Sequence, residues 1–200
     1  MDTRDDAYAA RLVNRQGVWW KRLLRVQAVY QWNLRRHHLG RTLDVGCGLG
    51  RNLVSLEPGS MGVDHNPTAV AHARAAGLPA ATVEEFLADP EARPGSFDSL
   101  LLAHVVEHMT REEATELLTS YLPFVRPGGR VLFICPQEKG YASDETHVTW
   151  TDGLALEQLA RDCGLEPEHW RSFPFPRAAG RFFTYNEFLV TARKAADGGP

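Results

Sequence analysis

Three glycines at alternate positions follow a short apolar segment that also contains an acid. The apolar segment and the glycines together form Leu43–Gly50, with the sequence Leu-Asp-Val-Gly-Cys-Gly-Leu-Gly. Alternating glycines allow a sharp backbone turn, and their missing Cβ atoms let a ligand approach the main chain. A helix that begins near residues 51–53 would direct its free N–H groups at this ligand. The pattern therefore predicts a nucleoside-binding turn at the end of a buried strand.

A second acid ends the next short strand along the chain. Asp64 directly follows Met61-Gly62-Val63, an apolar segment of strand length. A carboxylate at the tip of a strand can accept hydrogen bonds from both hydroxyls of a ribose. Because such charge-assisted bonds are worth about 1.5–3 kcal/mol each, one acid can dominate ribose recognition. We therefore predict that Asp64 binds a ribose.

The glycine spacing separates two classes of nucleoside cofactor. A dinucleotide site has the pattern G-x-G-x-x-G and holds a pyrophosphate at a helix N-terminus. That pattern would require a glycine at position 51, where this chain has Arg51. Asp44 would also repel a pyrophosphate, whereas it suits a ligand with a cationic amino group and a sulfonium. The residues favour S-adenosylmethionine, with S-adenosylhomocysteine as the product, over a dinucleotide or a turn without ligand.

At these residues the chain resembles class I S-adenosylmethionine-dependent methyltransferases, especially the broad bacterial group that includes ubiquinone and menaquinone methyltransferases. The resemblance covers about residues 40–192 and is carried by four segments, namely residues 43–52, 62–64, 97–109 and 122–132. It implies methyl transfer from S-adenosylmethionine by an enzyme. It is specific to the cofactor and says little about the acceptor.

Strand and helix patterns alternate from residue 41 onward, which indicates an α/β protein with a mostly parallel sheet and helices on both faces. The predicted strands are 41–46, 60–64, 79–82, 97–103, 129–135, 167–173 and 184–192, and the predicted helices are 51–56, 67–76, 111–121 and 152–163. Residues 6–38 are predicted to be helical, with a break near Gly17. The resemblance adds a Rossmann-like, doubly wound, seven-stranded sheet in which the last strand is antiparallel.

A length of 200 residues fits one domain. We expect residues 1–40 to form an N-terminal helical cap, residues 41–193 the methyltransferase domain, and residues 194–200 a flexible tail. No apolar segment reaches the roughly 20 residues of a membrane span, and the charged N-terminus is unlike a signal peptide. The three cysteines are odd in number and lack metal-type spacing, which indicates a reducing cytoplasm.

Ligands of such sheets bind at the carboxyl ends of the strands. We therefore place the cofactor along one edge of the sheet. The predicted cofactor-binding residues are Asp44, Gly46, Cys47, Gly48, Gly50, Asp64, His65, Glu84, Glu85, Ala103 and His104. Asp44 would act on the methionine amino group, directly or through water, or would only orient the turn. His65 would lie on the adenine face or in solvent.

The adenine contact is less well defined by the sequence. The resembled family often carries an aspartate after the third strand, and this chain has Val83 in that region. Glu84 or the backbone N–H of Glu85 could substitute, although a solvated helix start would have the same sequence.

Three histidines are candidates for a catalytic base. His104 and His108 follow the fourth predicted strand, and His147 follows the fifth. A histidine there could accept a proton or orient the acceptor. Glu107 and His108 could also only brace the loop, and His147 could cap the next helix. In-line transfer from a sulfonium requires no metal, and we predict none.

The acceptor is predicted to be a small molecule with an oxygen, nitrogen or carbon nucleophile. RNA or protein is the alternative, because residues 1–40 carry eight bases and three acids, with the aromatic residues Trp19, Trp20, Tyr30 and Trp32 nearby. That aromatic stripe could instead pack on the sheet or cover the acceptor. A protein that binds S-adenosylmethionine without turnover is a third possibility. The oligomeric state stays open.

Overall fold

The computed structural model describes residues 27–196, so Trp19, Trp20 and the predicted helix before residue 27 lie outside the described part. Residues 27–35 are helical (α1). The other helices are α2 (Pro67–Ala75), α3 (Val83–Ala88), α4 (Arg111–Tyr121), α5 (Glu138–Tyr141) and α6 (Gly153–Asp162). The strands are β1 (Thr42–Val45), β2 (Met61–Asp64), β3 (Ala80–Thr82), β4 (Phe97–Ala103), β5 (Val125–Pro136), β6 (Leu165–Phe173) and β7 (Glu187–Lys194).

The strands follow the order β3-β2-β1-β4-β5-β7-β6 in a seven-stranded sheet. β1, β2 and β3 pair in parallel, as do β4 and β5. β7 is antiparallel to both of its neighbours, β5 and β6. The predicted Rossmann-like α/β class with an antiparallel last strand is therefore confirmed.

The described part of the chain divides into two compact units, which meet in the sequence between Asp89 and Pro90. In the first unit, a core cluster of Cys47, Leu53, Val70, Ala73 and Ala80 packs beneath the segment that follows β1. Gly62 belongs to this packing, because a Cβ atom there would lie 2.7 Å from the Cys47 sulfur and 2.8 Å from Leu53 Cδ1. The glycine in β2 is therefore required by close packing.

In the second unit, β4 and β5 supply the core. Leu100, Leu101, Val131, Leu132 and Phe133 are all fully buried. Such continuous apolar runs are typical of strands that are covered on both faces.

Two helices begin at residues whose side chains cap the helix N-terminus. The Asn66 side chain accepts hydrogen bonds from the N–H groups of Thr68 and Ala69, and Pro67 occupies the first turn of α2. Thr110 and Glu113 form a reciprocal capping box at the start of α4. These caps fix the helices that follow β2 and β4.

The helix predicted over residues 51–56 is wrong. The chain forms only one turn of 3-10 helix, Leu53–Ser55, and is extended again at Leu56. Pro58 disfavours helical backbone at the residue before it, so a full α-helix does not fit between Gly50 and this proline.

The fifth strand begins earlier than predicted. β5 starts at Val125, before the predicted strand 129–135, and includes Pro127-Gly128-Gly129. The pairing with β4 shifts register across this segment, and Gly128 has φ of +69°. This segment is therefore an irregularity within the strand.

Candidate functional site

The glycine turn begins directly at the end of β1. The N–H groups of Gly46 and Cys47 both donate to the carbonyl of Val63, at 2.8 and 3.2 Å, and Gly50 N–H donates to Cys47 O at 2.9 Å. Gly48 has φ of +53°, and a Cβ atom added there would meet nothing within 4 Å. The backbone of the turn is therefore held tightly, while the space beside Gly48 is open to a ligand.

Asp64 joins this turn to the helix that follows β2. Its Oδ2 accepts the Gly48 N–H at 2.7 Å, and its Oδ1 accepts the Asn66 N–H at 2.8 Å. Each carboxylate oxygen has a second lone pair. Asp64 can therefore hold the turn and still accept further hydrogen bonds from a ligand.

Asp44 is fully buried in β1. Among the described residues, neither of its carboxylate oxygens has a hydrogen-bond partner of acceptable geometry. Burial raises the pKa of Asp44 to about 7, against smaller lowering effects of Asn52 and Arg51, and nearby Asp64 raises it further. A buried carboxylate without a partner is costly unless a cation or donor reaches it. The ammonium group of an amino-acid ligand fits this requirement.

Cys47 contributes its backbone to the turn and its side chain to the core. The thiol packs in the cluster of the first unit. Burial, with the nearby carboxylates of Asp44 and Asp64, raises the pKa of this thiol well above its ordinary range. The side chain is therefore a neutral packing group, and a ligand would meet only the Cys47 main chain.

The end of β3 is organised by a capping box that the sequence analysis missed. Thr82 Oγ1 accepts the Glu85 N–H at 3.2 Å, and Glu85 Oε2 accepts the Thr82 N–H at 2.9 Å. Arg74 holds the same carboxylate with two hydrogen bonds of 3.1 and 2.7 Å. The backbone N–H and the carboxylate of Glu85 are therefore both already hydrogen-bonded. The N–H groups earlier in α3 are better candidates for an adenine contact.

Two further predicted cofactor residues are exposed. Glu84 lies on the solvent side of the first turn of α3. The His65 side chain is 44% exposed, and its Nδ1 lies 3.8 Å from Asp64 Oδ1. His65 thus lies close to Asp64, the residue predicted to bind the ribose. Glu84 is a solvated residue at the start of a helix.

In the second unit, His104 follows Ala103, the last residue of β4. His104 has φ of +60°, a left-handed backbone that is uncommon for a residue with a side chain, and its N–H donates to Ile134 O at 2.8 Å. Its Nε2 lies 2.9 Å from Glu187 Oε1, and its Nδ1 lies 3.3 Å from Glu107 Oε1. The ring is therefore flanked by two carboxylates.

These carboxylates change the protonation of His104. Burial lowers its pKa, but the contacts with Glu107 and Glu187 outweigh burial and raise the pKa to about 9. The Glu107 pKa is lowered overall, because His104 outweighs the effect of burial. An imidazole that is already protonated at neutral pH, with a carboxylate at each nitrogen, is poorly suited to accept a proton.

His108 and His147 lie together in the same unit. Their ring centroids are 4.7 Å apart. The His147 ring also stacks on Tyr141 at 4.9 Å, and its Nδ1 lies 2.7 Å from Tyr141 O. Burial lowers the pKa of His108, with His147 acting in the same direction and Glu107 opposing. The structure thus brings two of the three predicted histidines into contact.

The partners of His104 were not among the predicted site residues. Glu107 is completely buried, and Glu187 is the first residue of the apolar strand β7. An acid at the end of a strand that continues as Phe188, Leu189 and Val190 is a signal that the sequence does contain. What it does not contain is the pairing of Glu187 with a histidine in a distant segment.

Residues 43–133 match the family described as a methyltransferase domain. No curated protein matches the chain. One chain of a solved structure is 20% identical to this protein, with a TM-score of 0.71, and the match covers 100% of this chain and 100% of that chain. That structure is described as a complex between the Haloferax volcanii Trm112 methyltransferase activator and a methyltransferase.

Two other solved structures are similar in fold. A SAM-dependent methyltransferase from Archaeoglobus fulgidus is 18% identical over 84% of this chain and 94% of its own, with a TM-score of 0.64. Magnesium protoporphyrin IX methyltransferase from Synechocystis PCC 6803, with bound S-adenosylhomocysteine, is 15% identical over 97% of both chains, with a TM-score of 0.66. At these identities the likeness concerns the fold.

The family match spans β1 with its glycine turn, Asp64 and β4. These are the segments on which the resemblance in the sequence rests. Residues 43–133 are therefore a methyltransferase domain, and S-adenosylmethionine is the cofactor that such a domain implies. Within residues 27–196, none of the helices has the length and apolar character needed to span a membrane.

The buried carboxyl of Asp44 makes stability depend on pH. Folding raises its pKa from 3.8 to about 7, so the folded chain binds this proton more tightly than the unfolded chain. The stabilisation is fully present below pH 3.8 and is lost as the pH rises through about 7. Between about pH 5 and 8, the cofactor-free protein should lose on the order of 2–3 kcal/mol of unfolding free energy relative to Asp44→Asn.

Urea unfolding of the two proteins at both pH values measures this difference. Asp44→Asn serves as the control because it cannot ionise at this position, so shared titrations of other groups cancel. Parallel pH profiles for the two proteins would contradict the assignment.

Proposed function

We propose that the protein methylates an oxygen, nitrogen or carbon atom of a small molecule, and that Asp44, the turn Gly46–Gly50 and Asp64 hold the methyl donor. S-adenosylmethionine supplies an activated methyl group on a sulfonium, which leaves by in-line displacement. The protein's contribution is therefore mainly to hold the donor in one orientation. Such positioning can supply about 7–11 kcal/mol of the barrier.

The observation that carries the donor assignment is the buried carboxylate of Asp44, which has no hydrogen bond of acceptable geometry within residues 27–196 and lies beside an open glycine turn. A cationic amino group would satisfy Asp44 and remove the cost of burying its charge. Asp64 would accept the ribose hydroxyls with the lone pairs that Gly48 and Asn66 leave free. The open space beside Gly48 would admit the ligand to the main chain.

For adenine, we propose a contact with the main chain at the start of α3, with His65 near the nucleoside. The first N–H groups of a helix have no partner within the helix and can donate to a ring nitrogen. The Glu85 N–H is already used by Thr82, so it is a weaker candidate than the N–H groups of Val83 and Glu84. Val83 itself cannot supply the acid that the resembled family often has in this region.

Two observations favour a small acceptor over RNA. Residues 81–120 carry nine acids and two bases, which disfavours the close approach of a polyanion to this part of the chain. One structural neighbour is named for methyl transfer to magnesium protoporphyrin IX, and another is a geranyl diphosphate methyltransferase, so this fold serves small acceptors in other proteins.

The three predicted histidines differ in whether they are candidates for contact with the acceptor. His104 is held by Glu107 and Glu187, so we assign it the role of positioning these side chains rather than that of a base. His108 and His147 are only partly buried and remain the candidates for contact with the acceptor.

We also propose that the protein works in a reducing compartment such as the cytoplasm. All three cysteines are free thiols, of which Cys47 and Cys135 are buried and Cys163 is half-buried. Unpaired cysteines persist in reducing surroundings.

The ribose assignment can be tested with S-adenosylhomocysteine and an analogue that lacks the two ribose hydroxyls. The wild-type protein should bind the analogue at least about 150-fold more weakly, because it loses two charge-assisted hydrogen bonds of about 1.5–3 kcal/mol each. Asp64→Asn should discriminate much less between the two ligands. Isothermal titration calorimetry measures the four dissociation constants.

Asp64 also holds the Gly48 and Asn66 N–H groups, so each variant must first be shown to unfold cooperatively. The ratio of the two affinities is the informative quantity, since a general loss of binding lowers both. Equal discrimination by the wild type and Asp64→Asn would sink the ribose assignment while leaving methyl transfer itself untouched.

The acceptor class can be tested by the release of S-adenosylhomocysteine from S-adenosylmethionine. We expect turnover with the small-molecule fraction of a cell extract and none with purified RNA or protein from the same cells. Asp64→Asn serves as the matched control for background release. Turnover that is confined to RNA and falls steeply as salt rises would contradict the proposal.

A further inference from the structure

Three potential metal ligands converge in the second unit. A carboxylate oxygen of Glu107 and one ring nitrogen each of His108 and His147 all lie within 4.8 Å of one another. Two imidazoles and one carboxylate form a ligand set that divalent transition metals use in catalytic sites. The cluster is distinct from Asp44, the glycine turn and Asp64, which belong to the first unit.

The tautomer of His147 is set by a backbone carbonyl. Its Nδ1 lies 2.7 Å from Tyr141 O, a group that can only accept a hydrogen bond. Nδ1 must therefore carry the proton, and Nε2 then presents its lone pair in the neutral ring. Proteins commonly orient a metal-binding histidine by a backbone carbonyl that accepts a hydrogen bond from the other ring nitrogen.

The tautomer of His108 is set in the same way by Thr146. Its Nδ1 lies 3.2 Å from Thr146 O and 3.1 Å from Thr146 Oγ1. The Thr146 hydroxyl donates to Asp144 Oδ1 at 2.8 Å, so its oxygen faces His108 as an acceptor. Both neighbours of Nδ1 thus require a proton there, and His108 likewise has Nε2 free for a metal.

Glu107 supplies a fixed and incompletely satisfied carboxylate. The residue is fully buried, and within the described part of the chain its Oε1 has no hydrogen bond of acceptable geometry. Its Oε2 accepts from the Cys135 thiol at 3.5 Å. Its backbone oxygen accepts the N–H groups of Val148 and Thr149, at 2.8 and 3.2 Å, which fixes the segment after His147 beside it.

We propose that Glu107, His108 and His147 bind a divalent first-row transition metal ion through one carboxylate oxygen and the two Nε2 atoms. Ligand bonds of roughly 2.0–2.2 Å would require the three atoms to move closer together. His104 would orient Glu107 through its contact at 3.3 Å.

The sequence analysis predicts no metal, since methyl transfer does not need one. The fold changes this expectation because it brings His147 from the segment after β5 to the adjacent pair after β4. The metal-free alternative is a packed pair of neutral imidazoles, which requires no ion.

Three protein ligands leave at least one coordination position for another molecule. If the proposed methyl transfer holds, that position could take an oxygen of the acceptor, and the ion would lower the pKa of a bound hydroxyl. This consequence rests on the proposed function, whereas metal binding does not.

Cobalt(II) is a suitable probe because its visible absorption reports nitrogen and oxygen coordination. The full-length protein should bind one Co²⁺ per chain with new absorption bands, and Zn²⁺ should displace it. His147→Ala and Glu107→Gln should each weaken Co²⁺ binding by about 100-fold or more, since removal of even a second-shell partner costs 10- to 100-fold.

His72→Ala is the matched control. This exposed histidine in α2 also places Nδ1 2.9 Å from a backbone carbonyl, that of Thr68, so it shares the local geometry but lies outside the cluster. Its affinity for Co²⁺ should equal that of the wild type. Circular dichroism confirms that each variant folds.

Failure of the wild type to bind Co²⁺, or equal binding by His147→Ala and His72→Ala, would overturn the metal site. Calorimetry with S-adenosylhomocysteine on the same samples separates the two proposals. A protein that binds this ligand but no metal retains the donor site and loses only the metal site.

Discussion

The carboxylate of Asp64 is the group on which the geometry of the donor site depends. One oxygen accepts the N–H of Gly48 in the turn after β1, and the other accepts the N–H of Asn66, which caps α2. A single side chain at the tip of β2 therefore fixes the positions of both the glycine turn and the start of α2. The same residue has free lone pairs for a ligand, so structure and recognition are coupled at this position.

Each unit contains carboxylates whose negative charge is not balanced by a cation among the described residues. In the first unit, Asp44 is buried without a hydrogen bond of acceptable geometry in that part of the chain, and burial raises its pKa to about 7. In the second unit, the single imidazole of His104 lies between Glu107 and Glu187. Native proteins seldom leave such groups unsatisfied without a ligand or a catalytic role. A cationic donor at Asp44 and a metal ion at Glu107 would each supply the missing positive charge.

Local sequence signals predicted the fold class, because the glycine spacing and the alternation of strand and helix patterns act within a few residues. The donor residues stay a prediction from the same signals. The helix predicted after Gly50 was wrong, since Pro58 limits that segment to one 3-10 turn. The short helix α3 was missed although Thr82 and Glu85 carry its capping signal. The pairing of His104 with Glu187 could not be predicted, because the two residues are 83 positions apart in the sequence. The strand β7 brings Glu187 to His104.

The central claim is that Asp44 and Asp64 hold the two polar ends of the methyl donor. A crystal structure of the protein with S-adenosylhomocysteine tests it most directly. The account predicts that both ribose hydroxyls lie within hydrogen-bond distance of Asp64, and that the amino group reaches Asp44 directly or through one water molecule. A ligand that leaves Asp64 bonded only to Gly48 and Asn66, with its ribose held by other residues, would contradict it.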